Sequence, residues 1–124
     1  MRATQFHEFA ETVVGWTRQG DTAVVPPLLV QPADAGDIGR LLAELAVQEP
    51  QGRAADVGGP ETQDLFDMAR RTMVARRDAV RLIPSWRGGP FGVEMAGEVL
   101  LPGPDARCTP TTFEQWLART TSPS

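Results

Sequence analysis

The longest apolar run in this chain, Ala23 to Val30, is cut in its middle by Pro26 and Pro27. Proline has no N–H to give to a sheet ladder and fixes its own φ, so neither side of the pair can belong to a long central strand. The run divides into two short strand-like pieces, Thr22–Val25 and Leu28–Gln31, that sit at a sheet edge or bend at the prolines. It is also too short and too interrupted to cross a bilayer, which takes about 20 consecutive apolar residues. The chain must therefore build its core from several short extended pieces and from the helices between them.

Those helices are legible from their periods. Phe6, Phe9, Ala10, Val13 and Thr17 recur at spacings of three and four, with Val14 and Trp16 flanking the stripe. They predict an amphipathic helix from a Thr4 cap to about Arg18, stopped by Gly20. Asp34 and Asp37 open a second helix, carrying acid at its positively polarised end. Its stripe is Ile38, Leu41, Leu42, Leu45 and Ala46, and Pro50 and Gly52 end it. Arg53–Val57 is extended, and Gly58-Gly59-Pro60 leads into a helix from about Thr62 to Arg77 with Leu65, Phe66, Ala69, Met73 and Val74 on its apolar face. Met68 and Met73 read as core filling. Val80–Pro84 is a further strand, a weak helix is expected over Phe91–Val99, and Leu100–Pro110 is irregular. Thr111 with Glu114 forms a capping-box pattern before a last short helix anchored by Phe113, Trp116 and Leu117.

Alternating strands and helices imply right-handed crossovers. The expected fold is α/β, with a small, partly parallel sheet of three or four short strands and four or five helices. At 124 residues this is one domain by size. Its expected extent is residues 1–119, followed by a disordered tail, 120–124.

Charge and missing residue types narrow the function. The net charge of −4 leaves no basic patch to neutralise phosphates, so nucleic acid is not expected as a partner. All twelve basic residues are arginine, which excludes a lysine Schiff base or a lysine general base. Cys108 is the single cysteine, so no internal disulfide can form. With no basic-then-apolar leader and no membrane-length apolar run, a cytoplasmic protein is expected. No residue pattern predicts a metal site or a catalytic group. His7, the sole histidine, can pair with Glu11 one turn later on the helix surface, or face a ligand from its place beside a strand end. Neither that pair nor Cys108 has the oriented base a nucleophile requires. The Gly58-Gly59 pair resembles a phosphate loop but lacks a spaced third glycine, and Glu61 adds negative charge beside it.

Three stretches together resemble the C-terminal portion of atypical short-chain dehydrogenase/reductase proteins, the NmrA-like or NAD(P)-binding sugar-epimerase-like group. Arg2-Ala3-Thr4-Gln5-Phe6-His7-Glu8-Phe9 is similar to the segment after that family's sixth sheet strand, at the nicotinamide end of the cofactor cleft. Leu29-Val30-Gln31-Pro32-Ala33-Asp34-Ala35-Gly36-Asp37-Ile38-Gly39 resembles its strand-to-helix motif, in which an aspartate caps the helix. Asp56-Val57-Gly58-Gly59-Pro60-Glu61 resembles the strand ending in Gly-Gly-Pro-Glu. The closing Leu101-Pro102-Gly103-Pro104-Asp105 and Thr112-Phe113-Glu114-Gln115-Trp116-Leu117 match the family's usual tail.

The resemblance implies an incomplete Rossmann-type protein lacking its cofactor half. The glycine-rich fingerprint of a dinucleotide site is absent from the sequence, as are the tyrosine and lysine of the usual catalytic pair. On this reading Thr4, Gln5, Phe6 and His7 line the nicotinamide side of a cleft, and Trp86 and Met95 the substrate side. NAD(P) is the family's cofactor, but this chain alone binds none and is not a competent oxidoreductase. Two partners follow: a separate cofactor-binding half, or further copies joined through exposed apolar faces. The alternative is a small oligomerising interaction or ligand-binding module, with the Phe6, Phe9, Val13 stripe and the proline-rich edge as its candidate surface.

Overall fold

The computed structural model describes residues 5–48, 57–86, 101–102 and 106–121. The expected helix at 91–99 and the extended run over 53–56 lie outside them, as do Thr4 and Met95. Within them the chain is mixed α/β. Helix α1 spans Phe9–Thr17, strand β1 Thr22–Val25, strand β2 Leu29–Val30 and helix α2 Ala35–Gln48. Strand β3 is Val57–Gly58 and β4 Gln63–Asp64; helix α3 is Leu65–Ala75, strand β5 Arg81–Pro84, strand β6 Arg107–Cys108 and helix α4 Phe113–Thr120. The described strands form two-stranded sheets: β1 with β5 in parallel, β2 with β4 antiparallel, and β3 with β6 in parallel. Instead of one thin sheet of three or four strands, the extended pieces pair off separately.

The proline pair explains part of that division. After β1 the Leu28 N–H turns back to the Pro26 carbonyl (2.8 Å), a tight bend that carries the chain from one sheet to the next. The Leu28 carbonyl then accepts from the Leu65 N–H at 2.8 Å, so the bend also meets the start of α3.

A two-stranded pair gains little by itself and needs packing and protected edges. On β1, the Thr17 hydroxyl accepts from the Val24 N–H (3.0 Å) and reaches the Val24 carbonyl (2.8 Å), occupying both outward groups of that residue. On β5, Pro84 has no N–H, and Asp78 Oδ1 holds the Val80 N–H at 3.1 Å. Gly20, at φ 63°, makes the tight return from α1 into β1, with Gln19 and Thr22 exchanging backbone hydrogen bonds across it. Arg18 then forks onto both oxygens of Asp78 (2.6 and 3.1 Å), tying the end of α1 to the loop ahead of β5.

Helices α1 and α3 cover this pair. Ala10, Val13 and Val14 from α1 meet Ala23 and Val25 from β1, and Leu65, Met68, Ala69 and Met73 from α3 complete a buried cluster with Phe113 and Trp116 of α4. Met68 and Met73 are core residues, as their period indicated. Val13 and Pro26 are fully buried, so part of the expected docking stripe and proline edge faces inward; Phe6, at 41% exposure, and Pro27 are left outside.

Several boundaries differ from expectation for identifiable reasons. Leu42 projects to solvent at 47% exposure; the described part of α2 instead buries Ile38 against Ala33 and Val57, with Leu41 half-buried beside them. Helix α3 starts at Leu65 because Asp64 caps it, its side chain accepting from the Phe66 N–H at 2.8 Å, and the residues before it pair as β4. The capping box sits one residue later than the Thr111/Glu114 pattern: Thr112 and Gln115 exchange both bonds, since Thr111 is engaged elsewhere. Finally, α4 runs through Thr120, and Arg76 donates to the Thr120 carbonyl and to both Thr120 and Thr121 hydroxyls. The described end of the chain is therefore held against α3 through Thr121, where a disordered tail was expected to begin at 120.

Candidate functional site

Three of the stretches that carry the resemblance meet through their backbones. Gln5–His7 lies alongside Ala33 in parallel, the Ala33 N–H donating to the Gln5 carbonyl (2.9 Å) and the His7 N–H to the Ala33 carbonyl (3.0 Å). The third stretch meets the second at Gly59, whose N–H donates to the Gln31 carbonyl at 2.9 Å while Gln31 Nε2 donates to the Gly59 carbonyl at 2.7 Å. A Cβ on Gly59 would stand 1.5 Å from the Pro32 carbonyl oxygen, so only glycine permits this approach. The glycine pair thus serves backbone contact at the end of β3, and β4 separates it from the N-terminus of α3. It is not an open phosphate loop.

His7 is turned inward, away from the surface pairing with Glu11 that the helical spacing suggested. It precedes α1, because the helix begins only at Phe9, and its side chain is 1% exposed. Glu11 pairs instead with Arg76 Nε at 3.2 Å. The imidazole Nε2–H donates to the Thr111 carbonyl at 2.9 Å; a carbonyl can only accept, so this contact fixes the tautomer. Nδ1 is then an acceptor, buried without a partner, and the Gln5 side-chain oxygen is a second such acceptor. Trp116 stacks on the imidazole (centroids 5.9 Å apart, planes 30°) and Phe113 leans on it at the same distance. Burial pushes the His7 imidazolium down from its ordinary pKa, against the opposing pull of the Thr111 carbonyl and the nearby carboxylates.

Two buried carboxylates stand beside it. Asp34 precedes α2 and accepts the Asp37 N–H at 3.1 Å, as a capping aspartate does, and its other oxygen pairs with Arg119 of α4. Asp37 pairs with Arg40 and accepts the Thr111 N–H at 2.9 Å. Burial pushes both carboxyls up, but the hydrogen bonds outweigh it: Arg119 and the Asp37 N–H hold Asp34 below the usual carboxylate range, and Thr111 and Arg40 do the same for Asp37.

The arrangement ties α4, the residues before it and the start of α2 to the entering segment. Its carboxylates are fully committed to arginines and N–H groups, and among the described residues no three His, Cys, Asp or Glu side chains gather as a metal site. The N-termini of α2 and α3 are both closed by aspartate carboxylates, Asp34 and Asp64, a poor seat for a cofactor pyrophosphate. Cys108 is exposed and about a hydrogen-bond length from Gln31 Nε2 (3.7 Å). It borders an open cleft of about 260 Å³ with Arg40, Glu44 and Thr109. Trp86 is half-buried against the main core.

Sequence reasoning found His7 and Asp34 but missed their connection through Thr111, Trp116 and Arg119, which lie about a hundred positions away. Local spacing carries no signal for such contacts. No helix among the described residues is long and apolar enough to cross a membrane. No protein-family model, curated protein or solved structure matches the chain.

Proposed function

We propose that this chain is the substrate-binding lobe of an NAD(P)-dependent reductase of the atypical short-chain type, a cytoplasmic piece that does not catalyse oxidoreduction alone. The observation that carries the reading is the convergence of the stretches that resemble that family. Gln5–His7, Gln31–Asp34 and Gly59 meet through backbone hydrogen bonds, and Phe113 and Trp116 of the closing stretch pack on His7. Stretches this far apart in sequence need not touch unless they belong to one structural unit.

The unpartnered Gln5 oxygen supports this reading as a buried acceptor that a donor from a cofactor-binding half can satisfy. The carboxylates of Asp34 and Asp64 at the N-termini of α2 and α3 support the reading that the cofactor contacts of a working enzyme come from elsewhere. Titrating the purified chain with NADH and NADPH, followed by nucleotide fluorescence, tests this: no saturable binding in the micromolar range is expected. Micromolar binding would overturn the view that the cofactor half is missing.

A second reading, an oligomerising interaction module, is favoured by one feature. Trp16 is 60% exposed, with its ring edge-on to Phe9 (centroids 6.1 Å apart), an unusual placement for a large aromatic side chain on an open surface. Sedimentation of the chain separates the two readings, because a monomer at high concentration excludes the second and leaves the first intact.

A further inference from the structure

We propose that His7 is a proton-operated latch on α4, and that protonation of its buried Nδ1 releases α4 from the entering segment while the α1–α3 core stays folded. The geometry leaves the second proton no place to go. Nε2–H is already held by the Thr111 carbonyl, and Nδ1 is buried without a partner, so the imidazolium adds a charge and an unsatisfied donor at once.

Charged groups of both signs face the ring among the described residues. Glu8 on its own segment, and Asp34 and Asp37 at the start of α2, favour the cation. The two aspartates, however, are already spent on Arg119, Arg40 and backbone N–H groups. Against the cation stand Arg119 from α4 and, over the same aromatic rings, Arg71 of α3 and Arg76 just after it, each itself paired: Arg119 with Asp34, Arg71 with Asp67 and Glu114, and Arg76 with Glu11. Arg71 lies 4.7 Å from the Phe113 centroid and Arg76 5.6 Å from that of Trp116. Phe113 and Trp116 thus each contact both the His7 ring and a guanidinium group. With those arginines paired, it is the burial of the ring away from water that disfavours the imidazolium, and burial moves the imidazole in that direction.

The release is local because Phe113 and Trp116 close one side of the core cluster, whereas α1, β1 and α3 also pack directly on one another through Val13, Ala23, Leu65 and Met68. Beyond its two rings, α4 is held by polar pairs with Arg71, Arg76 and Asp34.

The sign of the pH dependence follows. A released His7 titrates near its ordinary 6.5 and a latched one lower, so the latch is fully closed above 6.5 and weakens as pH falls below it, until the latched form also protonates. Asp34 and Asp37 act only below their ordinary 3.8, which separates their protonation from that of His7.

Hydrogen–deuterium exchange on the full chain tests the proposal, with rates corrected for intrinsic pH dependence. Opening of residues 113–120 should grow by up to about tenfold per pH unit below 6.5, the slope of one proton, while residues 65–75 keep their protection. In His7→Gln, whose amide can still donate to Thr111 but does not titrate, the slope should vanish. If that variant does not fold, NMR of the wild type decides, since His7 is the only histidine and gives one imidazole titration, expected below 6.5. A midpoint at or above 6.5, unchanged exchange in α4, an equal slope in His7→Gln, or equal loss of protection in α3 would each overturn the latch.

Discussion

The Thr17 hydroxyl offers the sharpest test of how this fold protects its strand pairs. β1 and β5 run parallel with Val24 opposite Ile83, and the Arg81 and Ser85 N–H groups donate to Asp21 and Val25, so the ladder uses the odd-numbered residues of β1. Val24 therefore points its N–H and C=O away from β5, and both are taken by Thr17 Oγ1 (3.0 and 2.8 Å). Thr17 Oγ1 also lies 3.2 Å from the Val13 carbonyl oxygen, but the Val24 oxygen is nearer for its single proton. Thr17→Val keeps the shape and removes both bonds. At about 1 kcal/mol each the loss is about 2 kcal/mol, offset by less than about 0.8 kcal/mol for the added apolar group at a half-buried site. Thr17→Ser keeps both bonds and loses one partly exposed methyl, less than about 0.8 kcal/mol. Urea unfolding followed by circular dichroism should place the valine variant about 1–2 kcal/mol below wild type and clearly below the serine variant, with an unchanged m value. A valine variant equal to wild type, or more stable than the serine one, would refute the edge-protection argument.

Other consequences are equally direct. Gly59→Ala places a methyl on the Pro32 carbonyl oxygen and should cost about 3 kcal/mol or more, or prevent folding, whereas Gly15→Ala on the exposed side of α1 meets nothing and should add about 0.5–1 kcal/mol. Arg77 holds φ 57° in a Schellman turn after α3, where the Asp78 N–H donates to the Met73 carbonyl and the Arg77 N–H to Val74; Arg77→Gly should raise stability by about 1 kcal/mol in the same assay. Phe113→Ala empties a fully buried site and should cost about 3–5 kcal/mol by thermal or urea unfolding. At acid pH, Asp34 and Asp37 are held below their ordinary 3.8, so the stability they supply is present above that value and is lost as pH falls through their lower folded values. Asp34→Asn should flatten that part of a stability–pH curve, and an unaltered acid limb would show that the carboxylate is not the titrating group.

What the sequence determined by itself is local. The 3.6-residue period placed α1, α2 and α3 and marked Ala10, Val13, Ile38, Leu65, Ala69 and Met73 as buried positions, because amphipathic helices must turn one face to the core. Pro26-Pro27 dictated two short strand pieces, and Asp34 announced the cap of α2. Tertiary structure decided the rest. Residues Gln63–Asp64 and Arg107–Cys108 carry almost no strand signal, and they are extended because β2 and β3 lie beside them with unpaired backbone groups. Helical spacing lets His7 pair with Glu11 on an exposed face, and its place beside a strand end lets it face a ligand, but spacing applies only inside the helix, and the residue lies ahead of it. Its burial against Trp116, its bond to Thr111 and the link from Asp34 to Arg119 arise from chain segments about a hundred residues apart, brought together by the packing of α4 on the core. A periodic sequence reports which side of an element seeks the interior; which distant group meets it there is settled only when the elements pack.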